Sequence, residues 1–297
     1  MIVSVSRRTD IPARYADWFF NRLDAGYVVA SNPMNPKQIR HVSLSHDDVE
    51  GFVFWTKNPE PMMERLHLLS GFPHYFLFTL NGYHKDLEPG IPQLEKRISV
   101  FRNLSERCGK HRVIWRYDPI LINPSNTEET HYARFESLCS TLHSHTEKCI
   151  VSFLDHYRTI RKAMKALQVE DVHETVKTRM MHRFAHIARG HGVQLETCAE
   201  SMDFSHFGVK KSRCIDQERL ETQGAYHLKV GKDRYQRKEC GCAASVDIGM
   251  YNTCTNGCVY CYANHGVKRV QSNVAAHDSN SLMLAGEAPQ GDPQFHR

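Results

Sequence analysis

Three cysteines near the C-terminal end of the printed chain have the spacing of an iron–sulfur loop. Cys254, Cys258 and Cys261 form a C-x3-C-x2-C pattern, and Tyr260 stands directly before the last of them. Three thiolates on one short loop can bind three irons of a [4Fe–4S] cube and leave the fourth iron without a protein ligand. Because an open iron can bind a reactant, the pattern predicts chemistry rather than electron transfer alone. A zinc knuckle or a purely structural cluster is the alternative interpretation.

A second set of cysteines could form another metal site. Its members are Cys198, Cys214, Cys240 and Cys242. Four thiolates are the number that closes a [4Fe–4S] cluster or a tetrahedral zinc site. We expect an auxiliary [4Fe–4S] cluster here, with zinc or ordinary thiols as the alternatives. The other three cysteines, which are Cys108, Cys139 and Cys149, are expected to be structural.

The composition is that of an ordinary globular protein in a reducing compartment. Of 297 residues, 41% are hydrophobic and 24% are charged, which are common values for soluble domains. No apolar run is long enough to cross a membrane and no signal peptide precedes the first strand, so we expect a cytoplasmic protein. Ten cysteines in such a protein favour metal or redox chemistry over disulfides. The net charge of +5 suits an anionic substrate or nucleic acid.

Strand patterns alternate with helical patterns over the first 200 residues. Strands are predicted at 2–6, 51–55, 74–80, 112–117, 149–154 and 193–197, and a short last strand at 246–250. This alternation predicts a parallel α/β sheet curved into a barrel or partial (β/α) barrel. We expect residues 1–200 to form the barrel portion and residues 201–265 to form a cysteine-rich portion that completes it. Residues 266–297 lack periodicity and are predicted to be a mobile tail.

Polar residues follow most of the predicted strands. In parallel α/β folds, the functional groups collect at the carboxyl ends of the strands. We therefore expect one shared site that draws on Arg7, Arg8, Asp10, Thr56, Lys57, Asn58, Thr79, Asn81, Arg116, Asp118, Asp155 and Glu200. The cations among them suit a substrate carboxylate or phosphate. Single members have simpler interpretations, since Asp10 could cap a helix and Lys57 or Arg116 could pair with a buried acid.

The stretch VDIGMYNTCTNGCVYCY, at 246–262, resembles the signature of radical S-adenosylmethionine (SAM) enzymes. In that family the cysteine loop follows the first strand of a partial (β/α)6 barrel. The resemblance implies that the open iron chelates SAM, which is cleaved reductively to a 5′-deoxyadenosyl radical that abstracts hydrogen from a substrate. It also implies an electron donor such as flavodoxin or ferredoxin, and a place for Tyr260 near the adenine.

The cysteine loop comes last in this chain, whereas in radical SAM enzymes it normally lies near the N-terminus. A circular permutation reconciles the two orders, and it predicts that the C-terminal strand lies beside the strand at 2–6. The succession TKN at 56–58, Asn81 and RYDPI at 116–120 is similar to motifs of the spore photoproduct lyase group. The Gly-Gly-Glu motif that binds the methionine amino group in many family members is absent. At full length the chain resembles an uncharacterised bacterial family, a domain of unknown function with radical-SAM-like cysteines at its C-terminus.

The resemblance implies that SAM-binding groups occur among the strand-end residues and Tyr260. The predicted function is that of a radical SAM enzyme, an oxidoreductase or lyase of unknown substrate, with catalytic candidates Arg7, Arg8, Lys57, Arg116 and Asp118. One alternative is an iron–sulfur electron carrier or redox sensor, which would need a fourth cysteine, and none follows Cys261.

The other alternative is a zinc-stabilised protein that binds nucleic acid. Its ligands would be the pairs Cys240/Cys242 and Cys258/Cys261. Its binding surface would be basic and studded with aromatic side chains. Candidate cations are Lys210, Lys211, Arg213, Lys229, Lys232, Arg234, Arg237 and Lys238.

Overall fold

An eight-stranded sheet in which every neighbouring pair is parallel organises the protein. The computed structural model describes residues 1–286, apart from the side chains of residues 36 and 37. The strands are β1 (Ile2–Val5), β2 (Tyr27–Asn32), β3 (Asn35–Ser43), β4 (Gly51–Thr56), β5 (His74–Thr79), β6 (Val113–Ile120), β7 (Lys148–Phe153), β8 (Gln194–Thr197), β9 (Lys210–Lys211) and β10 (Val246–Asp247). The order in the large sheet is β10-β1-β4-β5-β6-β7-β8-β9, while β2 and β3 form an antiparallel pair of their own.

The described residues form eight α-helices, most of which cover one face of this sheet, while the seventh belongs to the segment that covers the other face. They are α1 (Ile11–Arg14), α2 (Ala16–Asp24), α3 (Leu94–Cys108), α4 (Glu128–Leu142), α5 (Arg161–Ala166), α6 (Glu174–Gly190), α7 (Gln217–Gly224) and α8 (Val267–Ala275), with 3-10 turns at Glu60–Leu69, Lys110–Arg112 and Ser205–Phe207. Phe54, Phe76 and Trp115 belong to the main core beneath them. Within residues 1–286, every helix is too short or too polar to span a membrane.

The segment 212–243 covers the other face. Val53, Leu77 and Ile150 of the central strands form a second apolar cluster with residues of this segment, such as Ile215. The hydroxyl of Tyr75 donates a hydrogen bond of 2.6 Å to the carbonyl of Cys214. Because both faces are covered, the central strands are apolar along almost their whole length.

The predicted fold class is confirmed as an α/β fold with a parallel sheet, and each predicted strand has a counterpart. The predicted neighbour relation is also confirmed, because β10 pairs in parallel with β1 in the register Val3↔Val246 and Ser4↔Asp247. The β2–β3 hairpin, the two-residue β9 and helix α7 were not predicted. The two-residue β9, and a helix with one buried residue such as α7, leave too little periodicity to recognise. Strand β3 is long enough, but its sequence is mainly polar and contains a proline, which disfavours a strand assignment.

The prediction of a mobile tail from residue 266 needs correction for the described part. Residues 267–275 form α8, and Met283, Leu284 and Ala285 are buried. The backbone N–H of Val29 donates to the carbonyl of Leu282 at 2.9 Å, so this segment docks on the edge of β2. The segment has few apolar residues, but Met283, Leu284 and Ala285 are consecutive, and their burial holds it beside β2. Residues 287–297 of the predicted tail lie outside the described residues.

Candidate active site

The three-cysteine loop begins at the carboxyl end of β10, and Asp247 holds that end against β1. Its carboxylate accepts hydrogen bonds from the hydroxyl of Ser4 at 2.9 Å and from the backbone N–H of Arg7 at 2.8 Å. Gly249 has no room for a side chain, because an added Cβ would lie 2.1 Å from the hydroxyl oxygen of Ser6. The loop therefore leaves the sheet at one fixed place beside β1.

Asn256 links the middle of the loop to three other elements. Its side chain donates to the Asp10 carboxylate at 2.9 Å and accepts from the guanidinium of Arg14 at 2.8 Å. Its carbonyl accepts the N–H of Gly90 at 2.9 Å. The Asp10 carboxylate also caps α1 through Ala13 N–H, at 3.2 Å, and accepts the N–H of Lys57 at 2.8 Å. The capping interpretation of Asp10 is correct, and the same carboxylate joins β4 to the cysteine loop.

Backbone N–H groups are directed at two of the loop sulfurs. Cys254 accepts hydrogen bonds from the N–H groups of Asn256 and Asp10, and Cys261 accepts them from Ala263 and Asn264. Burial nevertheless raises the pKa of all three thiols, that of Cys254 to about 12. The metal-free thiols are therefore protonated at neutral pH, and a bound metal must displace those protons. The N–H donors would then stabilise the resulting thiolates.

A buried ionic group supports the other side of the loop. The ammonium of Lys57 lies 2.7 Å from a carboxylate oxygen of Glu88 and 3.0 Å from the hydroxyl of Tyr260. The hydroxyl of Tyr260 also donates to Glu88. The guanidinium of Arg97 lies 3.3 Å from the other carboxylate oxygen. Although burial raises the pKa of Glu88, the charges of Lys57 and Arg97 outweigh that effect and lower it.

Lys57 is the predicted residue that the structure connects most directly to the cysteine loop. Its charge lowers the pKa of both Cys258 and Cys261, although burial dominates at each thiol. The ring of Tyr260 packs with Tyr83 at a centroid distance of 6.0 Å, in a cluster that includes Cys258. The proposed pairing of Lys57 with a buried acid is therefore correct, and this acid is Glu88.

A second polar group lies at the ends of β5, β6 and β7. Arg116 forms an ion pair with Asp118, whose other oxygen accepts a hydrogen bond from Ser152. Asn81 donates to the carbonyl of Asp118 at 3.0 Å, and its own side-chain oxygen is buried without a partner. Thr79 is buried at the end of β5. One edge of the sheet therefore carries the predicted residues 56–58, Asn81, Arg116 and Asp118.

Other predicted residues are engaged in structural contacts. Glu200 accepts the N–H of Phe153 at 2.9 Å and pairs with Lys177 at 3.2 Å. Asp155 forms an ion pair with Arg237 in the segment that covers the sheet. The guanidinium of Arg8 donates to the carbonyl of Gly249 at 3.2 Å.

The remaining predicted residues make one local hydrogen bond and leave several buried polar atoms without partners. The Thr56 hydroxyl accepts the N–H of Asn58 at 3.1 Å. The Asn58 side-chain oxygen is buried without a partner, as are the Nη2 of Arg7 and the Nε of Arg116. These three atoms and the Oδ1 of Asn81 mark where polar groups at this edge still lack partners.

The second cysteine set does come together, on the face of the sheet covered by 212–243. The sulfurs of Cys198 and Cys214 are 3.3 Å apart. Cys242 shares hydrogen bonds with Cys214 and Cys240, and its sulfur accepts the N–H of Ile215 at 3.3 Å. Among residues 1–286, no group of three or more His, Cys, Asp or Glu is arranged as it stands to hold a metal ion. The four sulfurs form a chain of pairwise contacts rather than a ready cage.

The structure also decides between two groupings of the cysteines. Cys240 and Cys242 make their thiol contacts with Cys214 and with each other, whereas Cys258 packs among Tyr83 and Leu87. The ligand set Cys240/Cys242/Cys258/Cys261 of the zinc alternative is therefore not assembled in the described chain.

Sequence reasoning missed three residues that position the loop, namely Glu88, Asp247 and Asn256. Asp247 could have been recognised, because an acid at the end of a strand that enters a glycine-containing turn commonly caps that turn. Glu88 lies in a loop between elements, where no periodicity identifies it. Its role depends on long-range contacts with β4 and α3.

The fold and these contacts define an α/β protein whose parallel sheet carries a thiol-rich site at its carboxyl edge. A model of the family described as "Domain of unknown function (DUF1848)" matches residues 2–263. The chain therefore belongs to the DUF1848 family, which confirms the predicted membership of a family of unknown function. Neither the curated proteins nor the solved structures gave a match to this chain.

Proposed function

We propose that this protein is a radical SAM enzyme whose open-iron [4Fe–4S] cluster is held by Cys254, Cys258 and Cys261. The observation that carries the proposal is the position of this C-x3-C-x2-C loop. It starts at the carboxyl end of β10, whose parallel neighbour is β1, and so reaches the edge where the polar strand ends gather. When bound, the cluster and SAM would supply a 5′-deoxyadenosyl radical for hydrogen abstraction.

The donor set fits such a cluster. Three thiols come from one loop, and Cys254 and Cys261 already accept backbone N–H groups. Hydrogen bonds of this type stabilise thiolates and tune iron–sulfur centres. Asp247 fixes the start of the loop beside β1, and Asn256 fixes its middle to the Asp10 carboxylate at the start of α1. A purely electron-carrying centre would need a fourth protein thiolate at this loop, and the sequence supplies none after Cys261.

The unpartnered buried atoms indicate where SAM or substrate would bind. The side-chain oxygens of Asn58 and Asn81 are acceptors without donors. A buried acceptor of this kind costs free energy unless a ligand or water donates to it. We assign these two amides to the ammonium or ribose hydroxyls of SAM. Lys57 holds Tyr260 and Glu88 in place, and its positive charge favours the thiolate forms of Cys258 and Cys261.

The strand order supports a permuted radical SAM sheet. If β10 corresponds to the first strand of the family, then β1, β4, β5, β6 and β7 follow it in spatial order as strands two to six. The loop would then lie after the first strand, as the family requires, and only the chain termini would have moved. A partial barrel and a cytoplasmic location, where thiols stay reduced, belong to the same proposal.

The test is anaerobic reconstitution with iron and sulfide, followed by dithionite and SAM. We expect 5′-deoxyadenosine from the wild type and none above background from Cys258→Ala, because that loop would lose an iron ligand. Cys108→Ser is the matched control, since Cys108 is half-buried at the end of α3 and away from both cysteine groups. Stoichiometric zinc at the loop and no cleavage of SAM by the wild type would overturn the proposal.

A nucleic-acid substrate is the second candidate, and one surface favours it. Lys232, Arg234, Arg237 and Lys238 surround a depression in the segment that covers the sheet. Beside them the side chain of Tyr235 is 99% exposed, so its ring is accessible to a partner. Aromatic side chains among cations can stack on unpaired bases. Salt-dependent binding of single-stranded oligonucleotides that is weakened in Tyr235→Ala would support this candidate.

A further inference from the structure

The four cysteines outside the loop come from three separate segments. Cys198 directly follows β8, Cys214 lies after β9, and Cys240 and Cys242 flank Gly241 just before β10. The sulfurs of Cys198 and Cys214 are 3.3 Å apart, and the sulfur of Cys242 accepts the N–H of Ile215, the residue after Cys214, at 3.3 Å. Cys242 interacts electrostatically with both Cys214 and Cys240. Cys214, Cys240 and Cys242 are buried, and Cys198 packs against the same apolar cluster.

We propose that Cys198, Cys214, Cys240 and Cys242 bind one tetrahedral divalent ion of the zinc type, rather than a second iron–sulfur cluster. The ion would fasten the segment 212–243 to the open face of the sheet. This inference stands on the contacts of these residues and does not depend on the function proposed for the loop.

The spacing of the sulfurs favours a single ion. In a tetrahedral zinc site with Zn–S bonds of about 2.3 Å, neighbouring sulfurs lie roughly 3.8 Å apart. The distance of 3.3 Å between the sulfurs of Cys198 and Cys214 is close to that value. In a [4Fe–4S] cluster each thiolate binds a different iron, so the cube itself separates the sulfurs. Sulfurs already in contact would have to move apart to admit a cluster, but only slightly to admit one ion.

The charges around the group fit an anionic centre. Four thiolates around a divalent ion carry excess negative charge, which a buried site must balance. Two guanidinium groups beside the cysteines would offset part of that charge. Arg7 lies near Cys242 and Cys214, although Asp233 and Asp247 share its charge. Arg116 lies near Cys214 and Cys198 and is also paired with Asp118. Each has a buried nitrogen that lacks a hydrogen-bond partner, Nη2 in Arg7 and Nε in Arg116. The backbone N–H of Ile215 already donates to the sulfur of Cys242, and a hydrogen bond of this kind orients and stabilises a metal-bound thiolate.

The local fold gives the ion a structural task. Segment 212–243 contains only the eight-residue α7 as a helix, together with a single bridge between Lys232 and Ala243. A segment with so little regular structure gains stability when a metal joins its ends. The bound ion would connect the end of β8 with the residues that lead into β10, and hence with the strand that carries the loop.

The experiment measures metals in protein purified anaerobically from cells supplied with both iron and zinc. We expect about one zinc per chain in the wild type, in Cys258→Ala and in the control Cys108→Ser. Cys214→Ser should retain less than a tenth of that zinc. The loop iron should follow the opposite pattern, with loss in Cys258→Ala. A failure of SAM cleavage would thus leave this result untouched, and the two proposals can fail separately.

A second measurement avoids any variant of the four cysteines, in case Cys214→Ser does not fold. Metal-free Cys258→Ala protein is titrated with Co²⁺, and a tetrahedral tetrathiolate site is expected to give intense visible and charge-transfer absorption at one equivalent. Zinc should abolish that absorption. The inference is overturned if Cys214→Ser loses about four irons instead of zinc. It is equally overturned if zinc-free wild type contains a disulfide between Cys198 and Cys214 under anaerobic conditions.

Discussion

The two cysteine groups differ in how their sulfurs are held. The loop sulfurs of Cys254 and Cys261 accept backbone N–H groups from their own loop and from the start of α1, and no hydrogen bond joins one loop thiol to another in the described residues. The second group brings sulfurs from three segments into mutual contact, with a distance of 3.3 Å between Cys198 and Cys214. The first arrangement supports its thiols through backbone groups, and the second places at least two thiols against each other.

On the two proposals made for these groups, that difference would separate a reactive site from a structural one within one sheet. A site that keeps an open position can bind a reactant, whereas a site closed by four protein ligands mainly adds stability. The loop is supported by buried ionic and polar contacts at Glu88, Asp10 and Asn256. The second cysteine group is surrounded by apolar side chains and two arginines. Variants that disturb one group and spare the other should therefore have separable effects.

The largest effect should come from Glu88→Ala. This carboxylate is 1% exposed and pairs with Lys57 and Arg97, so its removal leaves two buried cations without their partner. Breaking a buried pair in this way typically costs about 3–5 kcal/mol of unfolding free energy. Urea denaturation of the metal-free protein measures the loss. Iron retention at the loop should fall, while zinc bound by the other group should not change.

Glu60→Ala is the matched control for that variant. Its partner Lys96 is 53% exposed, and such surface pairs contribute about 0–1 kcal/mol. If Glu88→Ala proves no more destabilising than Glu60→Ala, the ionic group at Glu88 does not support the loop, and the two cysteine groups do not differ in this respect.

The sequence predicted the positions and parallel direction of most strands because these depend on repeated apolar patterns. It also predicted the three-cysteine loop, whose spacing is local, and the pairing of the last strand with the first. It could not predict Glu88 or Asn256, because their partners come from distant parts of the chain. It grouped the four remaining cysteines by their number and by their positions near strand ends, and their contacts across 212–243 could only be seen once the sheet face was known.

Gly90→Ala should have an intermediate effect confined to the loop. An added Cβ would lie 2.7 Å from the carbonyl oxygens of both Thr255 and Asn256, and these backbone atoms cannot move without shifting the cysteines on either side. Overpacking of this kind costs about 1–3 kcal/mol. We expect that loss in urea denaturation and reduced iron loading, with zinc unchanged.

Gly190→Ala provides the control for Gly90→Ala. An added Cβ at this last residue of α6 would meet no atom within 4 Å, so the change should be neutral or slightly stabilising. Equal iron loading in the two variants would show that the close approach of residues 89–91 does not position the loop.

The smallest effect is the acid dependence that Glu88 gives to stability. Burial raises its pKa, but the charges of Lys57 and Arg97 lower it below the ordinary value of 4.5. A lowered folded pKa means that the stabilisation is fully present above pH 4.5 and is lost as the pH falls toward the folded pKa. Each unit by which the pKa is lowered corresponds to roughly 1.4 kcal/mol.

Glu88→Gln isolates this contribution, because glutamine keeps the shape and removes the titrating charge. The difference in unfolding free energy between wild type and variant should be constant from pH 7 to about 5 and should shrink at lower pH. Chemical denaturation at a series of pH values measures it. A difference that grows on acidification would mean that the two cations do not stabilise the Glu88 carboxylate, and the support of the open loop would have to come from Asp10 and Asn256 alone.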